Sequence, residues 1–194
     1  MLAIGRKILF VADYIGNCSE IIDWDKVVQQ ITNTEPSYVG PTHDVNTANV
    51  EGAYNVASAI RSAGHCLLSE GGSMGWGMYF PGKDFEMTVL TQFCKYVGLE
   101  ESYFCWISSI KPGHMAPWHW DITDEYRTIG ETKTVQRFHC HITDPQPGHF
   151  FVVDDHCFYN EYKGAIYKWP ERSSWHAGSN AGLSTKFLFN VWGI

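Results

Sequence analysis

Apolar positions recur along this chain with two different periods, and the change falls near residue 101. Before it, the spacing is helical. Trp24, Val27, Val28 and Ile31 stand at i, i+3, i+4 and i+7, which makes one helical face, and Asp23 is the natural N-cap in front of them. Val50, Tyr54, Ala57 and Arg61 line a second helical segment, with Ala53 and Ile60 beside them, ending near Gly64. A third helix is predicted from about Asp84 to Val97, with Phe85, Val89, Phe93 and Val97 as an i, i+4 row and Gly98 as its stop. The glycine-rich stretch GGSMGWG at 71–77 has no Lys-Ser/Thr at the spacing a phosphate-binding loop needs, so it reads as a turn or flexible loop.

After Glu101, short apolar and aromatic runs alternate with Gly, Pro and Asp turns: SYFCWISSI, TVQRFHCHI, HFFVV, CFYN, AIYKW and TKFLFNVW. Closely spaced strands of this kind make a sandwich or a barrel. The expected architecture is mainly β with flanking helices. A length of 194 residues suits one domain. Residues 1–100 are expected to form a helix-rich flanking part and 101–194 the β core. Aromatic residues are 15% of the chain, which suits deep, stiff walls.

Charge narrows the partners. The formal net charge is −7 and there is no Lys/Arg run, which argues against a nucleic-acid backbone and against an anionic membrane surface. The six cysteines form no CxxC pair. The opening MLAIGRKILFVADY is interrupted by Asp13 and lacks a clean cleavage site, so a secretory leader is not expected. Reduced thiols and a cytoplasmic location follow as expectations. No apolar run reaches the length of a membrane span.

The sharp chemistry lies in the β half. In Trp118-His119-Trp120-Asp121, a strand would aim His119 and Asp121 to one face and both tryptophans to the other. His176 follows 55 residues beyond Asp121, enough chain for several strands to return it beside the first pair. Two imidazoles and one carboxylate on one side of a metal leave open positions, the arrangement that suits non-haem Fe(II). A rival set, His139-Cys140-His141 with Asp154, Asp155 and His156, could instead make a cupin-like or zinc site. The plainer reading of Asp154, Asp155 and His156 is a turn, and that of His141 a hydrogen-bonded core or rim histidine. Alternation in 184–190 puts Ser184, Lys186, Leu188 and Asn190 on one strand face, and Arg137, His139 and His141 share another. A buried Lys186 calls for an anion.

From Ser108 onward the chain resembles the aspartyl/asparaginyl β-hydroxylase family of 2-oxoglutarate oxygenases, over about 85 residues. Several features match in order. They are Pro112-Gly113 after a strand, His119 six residues later, Arg137-Phe138-His139, a turn at Gly148, and His176-Ala177-Gly178-Ser179-Asn180 with a cation ten residues after the histidine. The resemblance implies a double-stranded β-helix, the jelly-roll or cupin-like barrel. It implies His119, Asp121 and His176 as iron ligands, although some members lack the carboxylate. It implies that the cation after the distal histidine clamps the far carboxylate of 2-oxoglutarate with help from Ser108. It also implies that His139 meets the carboxylate nearest the metal, and that Arg137 reaches the substrate or that same carboxylate. The clamp departs from the family, which has Arg where this chain has Lys186. A lysine offers one point charge rather than a two-pronged fork.

The expected function is an Fe(II)- and 2-oxoglutarate-dependent dioxygenase. It would use O2 to hydroxylate an unactivated C–H of an amino acid, a peptide side chain or another small polar substrate, releasing succinate and CO2. Trp118, Trp120, Trp175 and Trp192 flank the trio in sequence and would help exclude water. The alternatives are a non-catalytic metal-binding jelly-roll module and a zinc hydrolase or isomerase built on His139 and His141.

Overall fold

A computed structural model describes residues 12–39, 76–119, 134–158, 162–169 and 174–194. The second predicted helix, residues 71–75 of the glycine-rich stretch, Trp120, Asp121 and Cys66 lie outside them.

The β half folds much as its alternation predicts. The described chain runs β1 (Asp13–Asn17), α1 (Trp24–Thr32), β2 (Tyr38–Val39), β3 (Gly77–Tyr79), α2 (Met87–Val97), β4 (Ser102–Ile110), β5 (Met115–His119), β6 (Gln136–His141), β7 (His149–Val153), β8 (His156–Phe158), β9 (Ala165–Lys168), β10 (His176–Asn180) and β11 (Lys186–Gly193). The strands form a seven-stranded sheet in the order β1-β9-β6-β11-β4-β3-β2 and a four-stranded sheet in the order β5-β10-β7-β8. Every pairing within them is antiparallel. These two sheets make the jelly roll, a double-stranded β-helix. Three strands of the larger sheet come from the first hundred residues, so that part supplies β structure as well as helices.

Strand β11 lies at the centre and is buried along its whole length. Its odd-numbered residues belong to a core shared with both helices. Phe189 meets the rings of Trp24 at 5.4 Å, Phe93 at 5.0 Å and Phe85 at 6.0 Å. Ile31, Val27, Val89, Phe187 and Val191 complete that layer. The even-numbered residues of β11 take the opposite face, toward the smaller sheet, as period-two geometry requires. There Leu188 packs with Phe151, Val153, Phe158 and Tyr167.

The helix ends follow local chemistry. Asp23 caps α1 by accepting a hydrogen bond from the Lys26 amide at 3.0 Å. Helix α2 begins at Met87, three residues later than the periodicity predicts. The Asp84 carboxylate is engaged instead by the Phe80 amide at 2.6 Å and the Ser37 hydroxyl at 2.7 Å, which holds the preceding segment in a turn. Phe85 still packs into the core from that turn. Gly98 ends α2 in the left-handed conformation at φ 76°. No helix among the described residues is long and apolar enough to cross a membrane.

Candidate metal and co-substrate site

His119 ends β5 and His176 opens β10, and the two are register partners across the smaller sheet. Their rings meet at a centroid distance of 4.1 Å, and both side chains are buried. The alternate residues behave as strand geometry demands. Trp118 and Trp175 stack on each other at 6.3 Å and 16°, on the opposite side from the histidines. Trp76 lies flat against His119 at 5.8 Å, and Trp169 meets His176 edge-on at 4.7 Å. The His176 Nδ1 lies 3.4 Å from the Ser174 carbonyl. Donation from Nδ1 to that carbonyl makes Nε2 the basic nitrogen, which is the usual outer support of a metal-binding imidazole. Among the described residues no group of three or more His, Cys, Asp or Glu could hold a metal. The third predicted ligand, Asp121, is outside them.

The facing wall comes from β6 and β11. Pairing sets Trp192 opposite Arg137, Asn190 opposite His139 and Leu188 opposite His141, so the predicted polar row shares one face. Arg137 is buried with its guanidinium carbon 3.4 Å from the ring centre of Trp169 and 4.6 Å from that of Trp192. Such stacking suits the planar, weakly hydrated guanidinium. His139 stacks on Tyr167 at 5.4 Å and accepts the indole N–H of Trp169 at Nδ1, 2.8 Å away. Complete burial, with the neighbouring His141, Lys186 and Arg137 adding to it, pushes the His139 pKa well below its ordinary value. The ring is therefore neutral, and the indole bond fixes its proton on Nε2. Neither the Nε2 of His139 nor that of His141 has a hydrogen-bond partner among the described residues. Burial, then the charges of Lys186 and His149, lowers His141 to about 3.

Lys186 is buried at the start of β11. Its Nζ donates to the Phe150 carbonyl and lies 5.3 Å from the Phe151 ring centre. No carboxylate pairs with it among the described residues, and burial lowers its pKa to about 7. Taking an ammonium out of water without an anion is expensive, so the position fits a ligand that brings a carboxylate. Asn180 braces the turn leading to it, donating to the carbonyls of Ile110 and Ser184 at 2.7 Å each and accepting from the Gly182 amide at 2.9 Å. Ser108 lies on β4, the other neighbour of β11, opposite Leu188. Its oxygen accepts from the indole of Trp106 at 2.9 Å and the amide of Asn190 at 3.0 Å.

The rival metal set does not assemble. Cys140 points to the helix side of the sheet, with its sulfur 3.8 Å from that of Cys18. Asp154 and Asp155 form the turn between β7 and β8, with Asp154 at φ 49°. The Asp154 carboxylate accepts from the Trp175 amide at 2.9 Å, which ties this turn to the residue preceding His176. Sequence reasoning missed that tie, and also the walls supplied by Trp76 and Trp169. Trp76 sits in a glycine-rich stretch and Trp169 ends a strand-like run, and neither carries a signal before the sheets are folded together.

No family model and no curated protein sequence matches the chain. Solved structures resemble it at low identity. A prolyl-4-hydroxylase of Pseudomonas putida is 14% identical with a TM-score of 0.44, covering 89% of this chain and 98% of that one. The viral collagen prolyl hydroxylase from Paramecium Bursaria Chlorella virus-1, solved with 2-oxoglutarate, is 16% identical with a TM-score of 0.42, covering 60% of this chain and 76% of that one. A predicted oxalate decarboxylase from Thermotoga maritima is 8% identical with a TM-score of 0.38, covering 62% of this chain and 81% of that one.

Proposed function

We propose that the protein is an Fe(II)- and 2-oxoglutarate-dependent oxygenase that hydroxylates an amino acid, a peptide side chain or another small polar molecule. The observation that carries this reading is the pairing of two buried imidazoles at 4.1 Å with a buried lysine that has no carboxylate partner among the described residues, in the same barrel. A metal module with no co-substrate has no need of that lysine.

His119 and His176 would hold the iron, with Asp121 as the third ligand. Lys186 would hold the far carboxylate of 2-oxoglutarate, and His139 and Arg137 are candidates to contact the co-substrate. When bound, Fe(II) and 2-oxoglutarate supply oxidative decarboxylation by O2 and transfer of one oxygen atom to a C–H bond. The chain's own part is to orient and to exclude water. The Ser174 carbonyl orients His176, and the indole of Trp169 fixes the His139 proton on Nε2. Trp76, Trp169 and Phe151 shield the two imidazoles from solvent.

The test is succinate formation from 2-oxoglutarate with Fe(II) and ascorbate, across a panel of amino acids and peptides. Turnover that His176→Ala abolishes supports the reading. Absence of turnover with every substrate, even uncoupled, together with unimpaired metal binding, would favour a metal-binding jelly-roll module instead.

A further inference from the structure

Resting on the reading above, we infer that His141 is the partner of Lys186 in holding the far carboxylate of the co-substrate, in the role that the family resemblance gives to Ser108. Three geometric facts carry this. First, the Lys186 ammonium is engaged by β7. It donates to the Phe150 carbonyl on β7 and lies over the Phe151 ring, which itself packs against His139 at 4.8 Å. That is the β6 side of β11, whereas Ser108 is on β4, on the other side. Second, His141 shares the inner face of β6 with His139, their rings 5.5 Å apart, and its Nε2 is buried without a hydrogen-bond partner among the described residues. A buried polar atom left unsatisfied is costly, and a carboxylate oxygen would satisfy it. Third, the Ser108 oxygen accepts from both the Trp106 indole and the Asn190 amide, and these two bonds hold the side chain in place against the β4–β11 wall.

In this arrangement His141 donates Nε2–H to one carboxylate oxygen while Lys186 donates to the same group. No carboxylate of the chain competes with the ligand for Lys186 among the described residues. His141 is thus a binding residue selecting 2-oxo acids with a second carboxylate, not a metal ligand.

The experiment is anaerobic calorimetric titration of the full-length Fe(II)-loaded protein with 2-oxoglutarate and with 2-oxobutyrate, which lacks the far carboxylate. Wild type is compared with His141→Leu, His141→Gln and Ser108→Ala. The expected result is a 10- to 100-fold loss of 2-oxoglutarate affinity in His141→Leu and little change for 2-oxobutyrate. His141→Gln, whose amide reaches the Nε2 position, should restore most of the affinity, and Ser108→Ala should stay within about threefold of wild type. Equal losses for both acids, an unchanged His141→Leu, or a larger loss in Ser108→Ala would overturn the assignment. If His141→Leu does not fold, His141→Gln against His141→Asn gives the same contrast, since only Gln extends its donor far enough. Failure of wild type to bind 2-oxoglutarate at all would overturn the co-substrate reading itself, a result distinct from any of these.

Discussion

His119 and His176 are register partners on neighbouring antiparallel strands, and their buried rings meet at 4.1 Å. The bulge that follows His176 shifts the register before Gly178, and Trp118 and Trp175 stack on the opposite side of the same strands. The pair is therefore fixed by backbone pairing, not by flexible side chains reaching from loops.

Metal binding should depend on this pair. His119→Ala and His176→Ala are each expected to lower bound Fe(II) below one-tenth of wild type in metal analysis after dialysis. His141→Ala should retain nearly all of it, because His141 lies on the facing sheet. Retention of metal by His119→Ala with loss in His141→Ala would exclude the proposed ligands.

Lys186→Met should separate ligand binding from stability. The thioether chain keeps the volume and removes the buried amine. Affinity for 2-oxoglutarate should fall by roughly 100-fold or more, as for loss of a buried charge-assisted contact. The ligand-free protein should gain about 1–3 kcal/mol at pH 7 in chemical denaturation, because the substitution removes a buried amine that has no carboxylate partner among the described residues. A destabilised Lys186→Met would show that the bond from Lys186 to the Phe150 carbonyl outweighs the cost of burying the amine.

The pH dependence of binding has a definite sign. Burial lowers Lys186 from 10.5 to about 7 in the ligand-free protein. A carboxylate ligand favours the charged amine, so binding takes up a proton above pH 7. Affinity for 2-oxoglutarate should be flat below about 7 and fall by up to tenfold per pH unit above it. Calorimetry in buffers of different ionisation enthalpy reads the proton uptake directly, and Lys186→Met should abolish it.

Stability of the ligand-free protein should rise with pH over two windows. His139 and His141 are held neutral in the fold, His141 down to about 3, so below 6.5 the unfolded chain binds more protons and stability is lost as the medium acidifies. Lys186 titrates near 7 in the fold and 10.5 in the unfolded chain, so its burial cost is present in full below 7 and is relieved as pH rises toward 10.5. Denaturant midpoints measured from pH 4 to 10 check both limbs. Saturating 2-oxoglutarate should flatten the upper one.

Phe189 tests the packing that carries the sheet. It is fully buried and its ring meets Trp24, Phe85 and Phe93, so it joins both helices to the central strand. Phe189→Ala should cost about 3–5 kcal/mol in chemical denaturation. Phe189→Leu should recover more than half of that.

The sequence by itself determined the local pieces. Period-two alternation at 184–190 and at Arg137, His139 and His141 sorts polar from apolar faces, because a strand turns every second side chain to one side. The same rule sends Trp118 away from His119. The helical face at Trp24, Val27 and Ile31, its Asp23 cap and the Gly98 stop are equally local. What only the tertiary structure decided is which pieces meet. Periodicity gives HAGSN no strand signal, yet it pairs with β5 and β7 because two neighbouring edges satisfy its backbone. The β5–β10 register brings His176 to His119. The leaning of Lys186 toward β7, the Trp169 bond that sets the His139 tautomer and the tie from Asp154 to Trp175 each join residues at least 20 positions apart. Such contacts depend on sheet order and on the space between two sheets. Neither is encoded in any short window of the chain, because long-range pairing is settled by the packing of the whole.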